Sequence, residues 1–320
     1  MRLNENLISL IIPTYKGAKT LSKLVEELIS IFKDYKIEII IVNDCSPDNT
    51  HKDSEILLNK YPNKITYLKL SKNFGEHSAI MAGLRYSEGD LVIIMDDDFQ
   101  NPPEEAFKLA EYSLKNDHDV IFTKYKIKKD PFIRKVMSKI ANISAQIILK
   151  KPKGIYFSSF KSIKRNVVEE IIKYEGPFPY IDGLILSITN NFGSYEVIHN
   201  ERKLGKSSYN IFKLAKHFSN LIINFSTIPI HLFSILGFVI TVISFMLIIG
   251  IAVEKLINPN IPLGYSTLMT VIIFFSGIQI LFLGLIGEYV GKILKNVNKQ
   301  NQYNISFLKK KTTNHKDNSQ

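Results

Sequence analysis

The chain has 320 residues, 45% of them hydrophobic, which is enough for one large or two modest domains. Its formal net charge is +11, yet no stretch interleaves aromatic and basic residues, so attraction to anionic lipid headgroups fits better than nucleic-acid binding. A single cysteine, Cys45, excludes an intramolecular disulfide and suits a reducing cytosol. The first residues run straight into a strand pattern with no signal-like apolar segment, which gives no reason to expect export.

From residue 7 to 123 the pattern alternates. Apolar runs at 7–12, 37–42, 65–70, 91–95 and 120–122 predict strands, and 21–32, 54–60, 77–86 and 104–114 have helical apolar spacing. That order predicts an α/β fold with a parallel, doubly wound sheet and right-handed crossovers. Beyond residue 124 the pattern is less regular, with amphipathic helices expected at 133–149 and 164–174. From 209 to 223, apolar residues recur at helical spacing beside Lys213, Lys216 and His217, as in a helix lying in a membrane interface.

Two uncharged runs follow, about 233–253 and 264–287, each long enough to cross a hydrocarbon layer of ~30 Å as a helix. The short link between them carries Pro259, Pro262 and Gly264, which predicts a two-helix transmembrane hairpin. Lys203, Lys206, Lys213 and Lys216 precede the first run, and Lys292, Lys295, Lys299 and Lys309 to Lys311 follow the second. The link has only Lys255, so both termini and the soluble domain are expected on the cytoplasmic face of the plasma (inner) membrane. Gly287 and Gly291 allow close helix packing, either within the hairpin or in a homo-oligomer. The expected division is therefore a soluble domain at 1–208, juxtamembrane amphipathic helices at 209–230, the hairpin at 231–291, and a basic, disordered cytoplasmic tail at 292–320.

Chemistry concentrates at the predicted carboxyl ends of the strands. The strand 91–95 runs into Asp96-Asp97-Asp98-Phe99-Gln100. Three adjacent carboxylates call for a compensating cation, and hard oxygen ligands suit Mg²⁺ or Mn²⁺. In extended backbone Asp96, Asp98 and Gln100 point the same way and could share one ion. Tyr15, after Pro13-Thr14, offers a ring to stack on a base, and Asp44 a carboxylate for a base or ribose. Asp48 and Asn49 can equally cap the next helix, and Pro102-Pro103 can start one.

Taken together, Ile12-Pro13-Thr14-Tyr15, Val42-Asn43-Asp44, Ser71-Lys72-Asn73-Phe74-Gly75 and Asp96 to Glu104 resemble the inverting family 2 glycosyltransferases of GT-A fold. The resemblance is strongest to the polyprenyl-phosphate group and spans roughly residues 7 to 290. It implies a Rossmann-like nucleotide-sugar domain followed by an interfacial helix and a transmembrane hairpin. It implies transfer of a sugar from a nucleotide sugar, UDP-linked by preference and GDP-linked as the alternative, to a membrane polyprenyl phosphate for cell-envelope or glycoprotein modification. Pro13, Tyr15, Val42 and Asp44 would then contact the nucleoside, Asp96 and Asp97 the ribose and diphosphate, and Lys124 a loop position near the donor. Asp96, Asp98 and Gln100 would hold Mg²⁺ or Mn²⁺, with Asp98 among the catalytic residues. Within Glu201 to Tyr209, Arg202 and Lys206 would meet phosphate groups, Arg202 as a fork and Lys206 as a point charge.

The chain departs from the family pattern at Gly17, where an acid is usual, and at Ser158-Ser159-Phe160-Lys161, where relatives often carry Asp-Phe-Arg. A rival reading is a membrane-anchored family 2 enzyme acting on a saccharide or lipid-linked glycan. That chemistry needs a general base, for which Asp182 is the candidate.

Overall fold

A computed structural model describes residues 5–125, 155–198, 200, 264–298 and 300–312, with scattered positions between 235 and 257. The chain divides into two units, residues 1–208 with 299–320, and residues 209–298. The expected helices at 133–149 and 209–223, together with Arg202 and Lys206, lie outside the described residues.

In the first unit, β1 (Ile8–Thr14), α1 (Leu21–Ile31), β2 (Ile37–Asn43), α2 (Thr50–Lys60), β3 (Ile65–Leu70), α3 (Glu76–Tyr86) and β4 (Leu91–Ile94) alternate as the periodicity requires. Then come α4 (Pro103–Lys115), β5 (Val120–Tyr125), β6 (Lys161–Lys164), α5 (Arg165–Ile171), α6 (Ile181–Ile188), β7 (Phe192–Val197) and, after the second unit, β8 (Ile305–Lys309). The eight strands form one sheet in the order β7-β5-β6-β4-β1-β2-β3-β8.

The expectation of an all-parallel sheet is corrected in two places. Strand β6 runs antiparallel between β4 and β5, and β8 runs antiparallel along β3. The disordered tail is corrected with it, because residues 305–309 are the strand that covers the β3 edge.

The central strands read as unbroken apolar runs because both faces are covered. Every residue of β2 is buried, Glu38 included. Leu21, Leu24, Val25 and Leu28 make the apolar stripe of α1 against one face. On the other face, residues 78–84 of α3 are all buried, and a Cβ at Gly83 would stand 2.5 Å from Ile11 Cγ2. Glycine there lets α3 lie directly on β1. Since β1 to β4 are parallel, the loops that follow them gather at one edge of the sheet, where open α/β sheets bind ligands.

In the second unit, α7 (Tyr265–Val297) has 33 residues, a length of about 50 Å. Its stretch Phe274–Gly291 has a mean hydropathy of 1.5 and is long and apolar enough to cross a membrane, the one such helix among the described residues.

Candidate active site

Three loops build the site, and each departs from ordinary backbone. Lys16 after β1, Cys45 after β2 and Phe99 after β4 all have φ between 56° and 64°, although none is glycine. Non-glycine residues in this region cost backbone energy and persist where surrounding contacts fix them. Here the contacts are visible. The backbone N–H groups of Lys16, Gly17 and Ala18 donate to Ser46 Oγ (3.0 Å), Thr50 Oγ1 (3.0 Å) and Asp48 Oδ2 (3.3 Å). Burial pushes the Asp48 carboxyl up, but hydrogen bonds from Thr50 and Ala18 outweigh it and hold the group below its ordinary value. The loop after β1 is thus stitched to the loop after β2.

Asp44 lies at the end of β2, nearly buried, and accepts the N–H groups of Phe74 (2.7 Å) and Gly75 (2.9 Å). Burial raises its carboxyl above the ordinary range against those two bonds. Two acceptor positions are therefore engaged within the protein, and a carboxylate has about four. Tyr15 is 47% exposed and presents its ring freely, whereas Pro13 is half-buried. Val42 is corrected as a ligand contact: the whole residue, backbone included, is buried beneath α3.

The acidic cluster is a turn rather than an extension of the strand. Strand β4 ends at Ile94, Asp98 Oδ1 accepts the Gln100 N–H at 3.1 Å, and Phe99 is left-handed. The alternation expected for Asp96, Asp98 and Gln100 is corrected accordingly. Each carboxylate instead has its own surroundings. Asp96 Oδ2 accepts Ser159 Oγ at 2.6 Å, and Asp97 Oδ2 accepts the Thr14 hydroxyl. Burial, and then the charges of Asp96 and Asp98, push Asp97 up to about 6 against the Thr14 hydrogen bond. A Cβ at Gly17 would lie 2.2 Å from both Asp97 Oδ2 and Thr14 Oγ1, so this pairing requires glycine at the position where the family pattern has an acid. Among the described residues no group of three or more His, Cys, Asp or Glu side chains is gathered as a ready metal cage. The crowded acids at Asp96 to Asp98 are hard oxygen donors of the kind Mg²⁺ or Mn²⁺ takes, and their mutual repulsion, visible at Asp97, is the charge such an ion would offset.

Beside this turn lies a cleft of about 1150 Å³ whose lining includes Tyr15, Lys16, Lys19, Lys23, Asp97 and Asp98. The Lys16 Nζ stands 5.4 Å from the Tyr15 ring centroid and the Lys23 Nζ 5.6 Å from that of Phe99. The opening carries a planar ring, three lysines and six acids (Glu27, Asp48, Asp53, Asp97, Asp98 and Glu104), so a base can stack on the ring and a diphosphate would need the lysines, and a cation on the acids, to be held there. Of the expected site residues Tyr15, Asp97 and Asp98 line this cleft, whereas Pro13, Val42, Asp44, Asp96, Gln100 and Lys124 do not. Lys124 is exposed on β5, separated from β4 by β6.

On the α3 side, antiparallel β6 brings together two residues that the sequence had offered separately, Lys161 and Asp182. Ile94 pairs with Lys161, which places Lys161 one register step from the acidic turn. Its side chain is 3% exposed and forms an ion pair with Asp182 in the first turn of α6. Asp182, the candidate base, is therefore engaged by Lys161. Glu76, open to solvent but ringed by protein, is pushed up to about 7 by desolvation and the Asp96 charge, with Lys161 opposing and Asp182 adding. The N–H of Asn200 donates to Gln100 O at 2.9 Å, tying the turn to the segment that precedes Arg202.

A mixed α/β sheet whose loops gather at the carboxyl edge of its parallel strands defines a Rossmann-like domain. The family model of glycosyl transferase family 2 matches residues 9–172, and the chain belongs to that family. It is similar to the undecaprenyl-phosphate 4-deoxy-4-formamido-L-arabinose transferase of Proteus mirabilis, 33% identical over 304 residues, 94% of this chain and 93% of the relative. The Photorhabdus laumondii protein of the same name is 33% identical over 305 residues, 93% of each chain. Among solved structures, a mycobacterial protein is 16% identical with a TM-score of 0.51, over 68% of this chain and 73% of its own. Glucosyl-3-phosphoglycerate synthase from Mycobacterium tuberculosis, solved with Mn²⁺, UDP-glucose and phosphoglyceric acid, is 13% identical with a TM-score of 0.50, over 68% and 78%. These two share the fold. The chain is a glycosyltransferase.

Proposed function

We propose that this glycosyltransferase moves a sugar, with inversion, from a nucleoside diphosphate sugar to a polyprenyl phosphate at the cytoplasmic face of a membrane. The observation that carries the reading is the cleft at the carboxyl edge of the sheet, in which Tyr15, three lysines, Asp97 and Asp98 meet. Relatives aligned along 94% of the chain are named as undecaprenyl-phosphate transferases, which supports the acceptor class. A UDP-linked donor is the preference carried by the resemblance of the sequence motifs, and a protein sharing the fold is solved with UDP-glucose.

In this reading Tyr15 stacks on the base and Asp44 meets the nucleoside with the acceptor positions its backbone partners leave open. Lys16, Lys19 and Lys23 attract the diphosphate. Asp96, Asp98 and Gln100 would hold Mg²⁺ or Mn²⁺, which when bound offsets the charge gathering on the departing nucleoside diphosphate. Asp97 stays fixed by Thr14 and keeps the turn in place. Arg202 and Lys206 are assigned to phosphate oxygens. An acceptor phosphate is already an anion at pH 7, so alignment for in-line attack suffices and no strong base is needed. The engagement of Asp182 with Lys161 agrees with that, and disfavours a saccharide acceptor that needs a base.

For the membrane part we infer a hairpin of two spans, preceded by an interfacial helix. Strand β8 shares a sheet with β1 to β3, so the chain stands on the same side of any membrane before residue 208 and after residue 300. That supports an even number of crossings, and α7 is long and apolar enough to be one of them.

The test is transfer from a panel of radiolabelled nucleotide sugars to undecaprenyl phosphate by the purified chain with Mg²⁺ or Mn²⁺. A metal-dependent, acid-labile lipid product from one donor is expected. Intact nucleotide binding with no lipid product from any donor would overturn the acceptor assignment.

A further inference from the structure

The stretch 300–312 makes contacts beyond what an edge strand needs. Leu70 pairs with Ile305, the Ser71 N–H donates to Asn304 O at 2.8 Å, and Ser306 Oγ donates to Lys69 O and Leu70 O at 3.1 and 3.2 Å. All of these lie where β3 passes into the loop 71–75, and that loop ends in the two N–H groups that hold Asp44. Gln302, 6% exposed, donates through Nε2 to Tyr174 O (2.7 Å) and Gly176 O (2.8 Å), which anchors the start of the stretch to the segment between α5 and α6.

A second route reaches the same place. Phe307 packs on Tyr67 and His51, with ring centroids 5.8 and 5.5 Å away. The Tyr67 hydroxyl accepts Asn43 Nδ2 at 3.0 Å, and Asn43 Oδ1 accepts the Ser46 N–H at 2.8 Å. Ser46 Oγ in turn holds the Lys16 N–H. Both ends of the residue 43–46 segment are thus referred back to residues 302–307. The strand itself is half-exposed along its length and adds little to a core that seven other strands already form.

We propose that residues 300–312 are a strap that positions the donor site, by fixing the loops that orient Asp44 and Lys16. Its effect on donor binding rests on the assignment of Asp44 to the nucleoside. The strap follows the membrane segments in sequence, so donor-site geometry depends on a part of the chain that the family model, ending at residue 172, does not include.

The test uses the full chain in detergent with two variants, Ile305→Pro, which cannot keep the ladder at the head of the strand, and Gln302→Ala. Hydrogen exchange of residues 43–46 and 71–75 reads the strap directly, and UDP titration reads the site. Faster exchange in both segments, with UDP bound about five- to tenfold more weakly and the polyprenyl-phosphate KM unchanged, is expected from the loss of one or two positioning hydrogen bonds. Wild-type exchange in both segments overturns the strap. So does a uniform loss in which UDP affinity and melting temperature fall while the acceptor KM rises, since that describes a structural role alone. If Ile305→Pro fails to fold, Gln302→Ala decides by the same readings. A wild-type chain that binds no UDP would count against the donor assignment, while the exchange comparison still judges the strap.

Discussion

At the scale of single residues, the acidic turn makes the sharpest demands. Asp97 is raised from 3.8 to about 6, first by burial and then by its two acidic neighbours. A native carboxyl that holds its proton more tightly than the unfolded chain costs stability as pH rises. The cost is absent near pH 4, about half present at pH 5 and complete above pH 6. The shift corresponds to roughly 3 kcal/mol before screening, and about 1–2 kcal/mol is expected for a half-buried group. Asp97→Asn keeps an acceptor for the Thr14 hydroxyl and removes the charge. In metal-free buffer it should melt higher than the parent at pH 8 by calorimetry, with the gap closing towards pH 4. A gap independent of pH would show that packing, not charge, is responsible. Asp98→Ala should leave folding intact but lower transfer by at least about 100-fold and abolish Mn²⁺ binding read by electron paramagnetic resonance. Full activity without bound metal would remove Asp98 from the metal set.

At the scale of elements, what the sequence made legible follows how each element is buried. Strands β1 to β5 are covered on both faces, so they appear as apolar runs between turn residues and could be read directly. Strand β6 is Lys-Ser-Ile-Lys and β8 is Ile-Ser-Phe-Leu-Lys in an Asn- and Lys-rich tail. Neither has an apolar run; pairing with β4 and β3 makes them strands, and pairing is a tertiary fact. Missing β6 also hid the Lys161–Asp182 pair, since only the antiparallel register brings Lys161 beside the acidic turn. The left-handed backbone at Phe99 left no trace either, because no glycine or asparagine marks it.

One consequence at this scale is testable without any substrate. Lys311, just beyond β8, forms ion pairs with Glu88 at 2.8 Å and with Glu38, whose side chain is fully buried and also accepts Ser9 Oγ and two backbone N–H groups. Lys311→Met strands that carboxylate and should destabilise the soluble unit by about 3 kcal/mol. Adding Glu38→Gln should restore most of the loss, because the amide needs no cation. Melting of the two variants by calorimetry checks both statements. No recovery in the double variant would mean that Lys311 acts through its methylene packing on the strand.

At the scale of the whole molecule, a surplus of cations has two uses that a net charge of +11 does not distinguish. A lysine near a membrane surface contributes ~1 kcal/mol of attraction to anionic lipid, and that contribution is screened by salt. A guanidinium forked onto a phosphate acts at short range on one ligand and resists screening. Arg202 and Lys213 fall on either side of this distinction: the first stands in the segment assigned to phosphate, the second in the expected interfacial helix. Arg202→Ala should therefore lower kcat/KM for the lipid phosphate about 100-fold or more in neutral and anionic vesicles alike. Lys213→Ala should lower it by no more than about fivefold, only in anionic vesicles, and the difference should vanish at high salt. Equal, small, salt-sensitive losses in both variants would reduce Arg202 to surface charge and leave Lys206 as the cation of that segment for the acceptor phosphate.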